Sequence, residues 1–163
     1  MAVTVVETVL LSVNPAGRLA FRVLARRLPR GTHPDALARR LAGLGPDDGG
    51  LLHSTSWRFD AGNVVLTYAA LPDPTPEGAT PLDLARPTPY PVDPLAPGRV
   101  HLTAHDIAVH ACRHLSFLRR TDPLVASAAH GRAELWEAID PYEPGLAGAL
   151  SAGRASWGTT VLT

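Results

Sequence analysis

Several residues able to do chemistry crowd into one short run: His53, Ser54, Thr55 and Arg58 all lie within LLHSTSWRF, residues 51–59. An imidazole can move a proton near neutral pH, hydroxyls can hold an oxyanion, and arginine offers a planar fork that fits carboxylate or phosphate. A second group lies further along. His110 and His114 are four residues apart, with His105 before them, and that spacing places two imidazoles on one helix face within reach of one metal ion. No third ligand follows nearby and the His-Glu-x-x-His form is absent, so His110 and His114 remain metal candidates only, and neither a metal nor another cofactor is expected. Glu7 is the third point of interest, because it falls among apolar residues of a strand. A carboxylate there must pair with an arginine, rise in pKa or lie near the sheet's end. The candidate catalytic groups are therefore His53, His114 and Glu7. Arg58, Arg113, Ser54 and Thr55 are the candidates for binding a small anionic molecule, and Cys112, on the same helix, reads as an inert buried thiol.

Two families share parts of this pattern. His53-Ser54-Thr55-Ser56 and His101-Leu102-Thr103-Ala104 both fit His-x-Thr-x, which resembles the motif pair of the two-histidine phosphoesterases. That resemblance implies histidines acting as general base and acid on a phosphate ester, with the hydroxyls binding its oxygens. Thr103, however, also suits a helix cap, which would occupy the hydroxyl. Over residues 1–70 the order of strand, glycine turn, strand ending in Arg26-Arg27, helix and strand pair resembles the layout of the Nudix hydrolases. Their glutamate-rich box is absent, since the candidate helix reads HPDALARR, residues 33–40. Only a Nudix-like scaffold is implied, and scaffold does not fix function.

Composition removes several classes. All 15 basic residues are arginine, so no Schiff-base lysine or phosphate-loop lysine exists in the chain. Fifteen acids balance them, which argues against nucleic acid or an anionic membrane as a partner. The single cysteine excludes an internal disulfide and a cysteine-rich zinc site. No stretch approaches the roughly 20 apolar residues of a membrane span, and no leader-like run opens the chain. Cytoplasmic residence and, from the Ala-, Gly-, Pro- and Arg-rich bias, a bacterial gene are the expectations.

The elements that must position these residues can be traced from periodicity. Residues 3–13 and 18–26 alternate around Asn14-Pro15-Ala16-Gly17. One apolar face emerges only if Gly17 is left-handed in a bulged loop, which sets Val13 opposite Leu19, Leu11 opposite Phe21, Val9 opposite Val23 and Glu7 opposite Ala25. A short helix follows, capped by Thr32, with Leu37 and Leu41 buried and Gly43 and Gly45 as stops. A second hairpin joins residues 51–59 to 64–71, with Phe59 opposite Val64. Unbroken alternation then puts His53, Thr55 and Trp57 on the core side with Tyr68, and Ser54, Ser56 and Arg58 on the other. One site using both His53 and Arg58 would require a twist or a bulge.

Residues 72–97 hold nine prolines and read as a wrapping loop. Thr103 and Asp106 form a capping box for a helix through about Arg120. Asp122-Pro123 starts another, Gly131 interrupts before Glu134–Ile139, and a last short helix is expected within Leu146–Leu150.

The expected fold is an α+β single domain over residues 1–163. It comprises strands over 1–71, a proline-rich wrap over 72–100, a helical part over 101–150 and a tail over 151–163. An antiparallel sheet of two hairpins with an intervening helix would be followed by a C-terminal helical layer. The leading functional expectation is a pocket that binds or transforms a small anionic ligand. The alternative is a non-catalytic interaction or assembly module, a homo-oligomer among the possibilities, with the phosphoesterase-like hydrolase as a further one.

Overall fold

The computed structural model describes residues 2–86 and 102–149. Within them the chain is α+β, with a mixed sheet between two unequal helical layers. The first hairpin is β1 (Thr4–Val13) and β2 (Leu19–Arg27), and its register pairs Val13 with Leu19, Leu11 with Phe21, Val9 with Val23 and Glu7 with Ala25. Gly17 has φ +72°, the left-handed conformation the bulged turn requires. The second hairpin is β3 (Leu51–Asp60) and β4 (Asn63–Leu71), with Phe59 opposite Val64.

The two hairpins are each antiparallel, but they join through a parallel pair, β1 with β4, so the sheet is mixed rather than wholly antiparallel. The connection from β2 through α1 (Pro34–Ala42) to β3 makes that geometry reachable, because it carries the chain over the sheet before the second hairpin begins. Two short strands complete the edges. β5 (Thr80–Pro81) pairs with β2, and β6 (Gly148–Ala149) pairs with β3, giving the order β5-β2-β1-β4-β3-β6. The strand β6 stands where a last helix was expected.

Alternation along β1 separates two cores. Val9 and Leu11, with Leu19, Phe21, Ala69 and Leu71, face the C-terminal helices. These are α2 (Ala104–Thr121), α3 (Pro123–Ala129) and, after a 3₁₀ turn at His130–Arg132, α4 (Ala133–Ile139). Val6 and Leu10, with Tyr68 and Ala70, face α1 through Leu37, Ala38 and Ala42. The Tyr68 hydroxyl donates to Asp35 at 2.5 Å, and burial together with that carboxylate raises its pKa.

The caps follow local chemistry. Thr103 and Asp106 close the box on α2 in both directions, and Asp122 caps α3 ahead of Pro123. At α1 the cap is His33 rather than Thr32: its Nδ1 accepts from the Asp35 amide, and Pro34 takes the first helical position, where a missing N–H is harmless. The proline-rich stretch begins as a wrap. The Asp73 amide donates to the Leu11 carbonyl and that of Leu82 to Leu19, while the Asp73 carboxylate accepts two bonds of 2.7 Å from Arg22. Residues 87–101, and with them the rest of the expected wrap, lie outside the described residues, as does the tail from residue 150.

Candidate functional site: histidines over a bulged strand

The site begins with an irregularity in β3. Ser54 pairs with Tyr68 and Ser56 with Thr67, which leaves Thr55 as an extra residue between them. Each such bulge moves every later side chain to the opposite face. The expected unbroken alternation is therefore corrected. Leu51, His53, Ser56 and Arg58 face α2, whereas Ser54, Trp57 and Phe59 share the α1 side. Trp57 is not a core residue: it is 50% exposed, and Phe59 is 67% exposed. The polar run HSTS carries no apolar beat, so nothing in the sequence marked where the phase changed.

Beneath α2 the bulge assembles a polar seam. At one end Arg58 forms a forked pair with Glu7, at 2.8 and 2.9 Å, and Thr67 Oγ1 donates to Glu7 at 2.9 Å. Burial works to lower the Arg58 pKa, but the hydrogen bonds and charge of Glu7 outweigh it and the pKa is raised. Glu7 and Arg58 thus satisfy each other. That is the structural pairing required of a carboxylate on this face, and it leaves neither group's fork open to a ligand.

At the other end three imidazoles gather. His53 and His114 have ring centroids 5.2 Å apart, and Phe117 stacks on His114 at 6.1 Å. Their nitrogens have defined roles, because a carbonyl can only accept. His53 Nδ1 donates to the Ser54 carbonyl at 2.8 Å, His114 Nδ1 to that of Gly145 at 3.2 Å, and His110 Nε2 to that of Thr55 at 3.4 Å. Each neutral ring keeps one nitrogen as a lone-pair acceptor. His114 Nε2 is buried with no partner, and so is the Ser56 hydroxyl. Burial, above all, lowers the pKa values of His110 and His114, with the neighbouring His53 adding to the effect at His114.

The remaining candidates lie elsewhere. Ser54 is exposed on the α1 side, and Thr55 spends its hydroxyl on the Thr67 carbonyl at 3.3 Å. Arg113 points toward the segment after α4, donating to the Glu143 carbonyl at 3.1 Å and facing its carboxylate at 3.5 Å. There it borders a cavity of about 140 Å³ together with Asp83, Arg86, Val109 and Tyr142. His53, Arg58 and His114 do not line it. Cys112 is fully buried and its pKa is raised by that burial, as expected of an inert thiol. Thr103 uses its hydroxyl within the capping box, and its motif partner His101 lies outside the described residues.

Sequence reasoning left the pairing partner of Glu7 unidentified. The signal for it existed, since a carboxylate on an apolar face needs an arginine, but the bulge hid which arginine shared its face. No family model, curated protein or solved structure matches this chain. Among the described residues no three His, Cys, Asp or Glu side chains converge to hold a metal, and no helix is long and apolar enough to cross a membrane.

Proposed function

We propose that the protein is a non-catalytic assembly module that associates with a second copy of itself through the α1-side surface of β3. The observation that carries this reading is the pair Trp57 and Phe59, two large aromatics side by side on one strand face at 50% and 67% exposure. Together they leave roughly 250 Å² of aromatic surface in water. One face of the sheet carries three helices, but α1 alone serves the other, and its nine residues pack on β1 and β4. A single helix shields a stripe only about 10 Å wide, so Trp57 and Phe59, toward the turn end of β3, stay exposed. Two copies related by a two-fold axis would bury both patches at once. The formal net charge of +0 puts no long-range repulsion in the way. Sedimentation equilibrium tests the reading: a dimer that Trp57→Ser with Phe59→Ser converts to monomer supports it. A monomer at every concentration, or a dimer indifferent to both substitutions, overturns it.

A second reading, binding of a small anionic molecule, is favoured by the cavity that Arg113 and Arg86 border. Its guanidinium groups suit a carboxylate or phosphate that displaces the Glu143 carboxylate from Arg113, with Asp83 on the same lining setting the limit on affinity. Stabilisation by inorganic phosphate or small phosphorylated compounds in a thermal-shift assay, abolished by Arg113→Ala, would support it. No shift with any of them would remove it.

A further inference from the structure

We propose that His53 and His114 form a two-imidazole site for a divalent transition-metal ion of the zinc or copper type, separate from the surface assigned to assembly. Four observations converge on it. Both rings donate Nδ1–H to a backbone carbonyl, Ser54 for His53 and Gly145 for His114, and such second partners are what fix the tautomer and orientation of metal-binding imidazoles. Both therefore offer Nε2 as the ligating atom.

Their centroids are 5.2 Å apart. Two imidazoles bound through nitrogens about 2.0–2.1 Å from one tetrahedral ion bring their centroids to roughly 5 Å. Phe117 stacks on His114 with centroids 6.1 Å apart, which restricts rotation of that ring. Finally, His114 Nε2 is buried without a partner, a cost that an unfilled acceptor imposes and a bound cation would remove. His53 is only partly buried, which leaves its ring as the entry side of the site.

The chemistry of the donors selects the ligand. Neutral imidazole nitrogens suit zinc, copper and nickel over calcium or magnesium, which take oxygen ligands. They also present lone pairs rather than protons, and would repel an anion. With two protein ligands, the other coordination positions fall to water or to a molecule that the ion would hold.

The pair competes with an alternative, His110 with His114 at helical spacing, so the experiment must separate them. Zn²⁺ is titrated calorimetrically into the full chain, and Cu²⁺ is added for electron paramagnetic resonance, whose hyperfine pattern counts coordinating nitrogens. One site per chain and a two-nitrogen copper signal are expected. His53→Gln and His114→Gln should each weaken Zn²⁺ binding at least tenfold. His110→Gln, His33→Gln and His130→Gln should leave it intact. His53 is the decisive position, because its part-exposed ring can be replaced without emptying the core, and thermal melts of each variant confirm folding. Absence of saturable Zn²⁺ binding overturns the proposal. So does binding that survives His53→Gln, or binding lost in His110→Gln while His53→Gln retains it.

Discussion

The two hairpins share one sheet and opposite histories of regularity. In β1–β2 the pairing runs unbroken from Val5 with Arg27 to Val13 with Leu19, and the irregularity is confined to the turn at Gly17. In β3–β4 the turn is tight and the irregularity lies within the strand, at Thr55. The first hairpin yields an apolar face with one buried charged residue on it, Glu7. The second yields the groups that answer that charge and surround the histidines. A bulge in a strand re-aims side chains, whereas a bulge in a turn only sets the register, and in this molecule the polar seam lies behind the strand bulge.

The largest expected effect comes where the two hairpins meet, at Glu7 and Arg58. Arg58→Met leaves Glu7 buried with only Thr67, and should cost about 3–5 kcal/mol in urea unfolding, the range for breaking a buried pair from one side. The double change Glu7→Leu with Arg58→Met should recover most of that loss, because two apolar side chains need no partner. If the double variant is as unstable as the single one, the pair is not the link between the hairpins.

Deleting Thr55 tests the bulge itself. Ser54 and Ser56 already pair with the neighbours Tyr68 and Thr67, so the deletion restores uninterrupted pairing and leaves every other side chain on its present face. Leu51 and His53 stay toward α2 and Leu52 toward α1, while the Thr55 hydroxyl bond to the Thr67 carbonyl and the Thr55 carbonyl that accepts from His110 are lost. A loss of about 2–3 kcal/mol is expected. The nuclear Overhauser contacts between the His53 and His114 rings should persist with those between Glu7 and Arg58, and loss of the former alone would show that the extra residue itself holds His53 in place.

These differences also explain what could be read from the residues alone. The β1–β2 register was legible because only one pairing keeps a single apolar face and excludes Arg22 and Arg26 from it. The capping box at Thr103 and Asp106 and the start at Asp122-Pro123 were legible because caps are local. The β3 faces were not, since HSTS offers no hydrophobic period to count. The parallel join of β1 and β4, and the two-residue strands β5 and β6, depend on long-range packing that no window of sequence contains. Of the candidate site, the partnership of His53 with His114 stood on residue type alone. Its geometry depends on one unpaired threonine, and Arg58, expected to hold an anion, is held instead by Glu7.

In the first hairpin the corresponding test is Gly17→Ala. With φ +72° and no heavy atom within 4 Å of an added Cβ, the methyl group meets no neighbour and the penalty is backbone strain alone, about 1–2 kcal/mol. Calorimetric melting should show a lower midpoint with the sheet otherwise unchanged. A loss as large as that of Arg58→Met would mean that the turn, and not the polar seam, governs the stability of the sheet.

The smallest effect is a dependence on pH, and its sign separates the hairpins again. Burial holds the imidazoles of His110 and His114 below their ordinary pKa, so the unfolded chain takes up protons before the folded one does. Their contribution to stability is complete above the unfolded value near pH 6.5. It declines as the pH falls below that toward the folded values, and changes no further beneath them. The same window leaves Arg22 and Arg58 charged, since partners hold both guanidinium groups above their ordinary pKa. Urea midpoints measured with a chelator present from pH 8 to pH 5 should therefore fall in the wild type. They should fall less when His110→Gln and His114→Gln are combined. Equal slopes in both proteins would show that the imidazoles over the bulge are solvated in the folded state, and that α2 does not seal the second hairpin as closely as it seals the first.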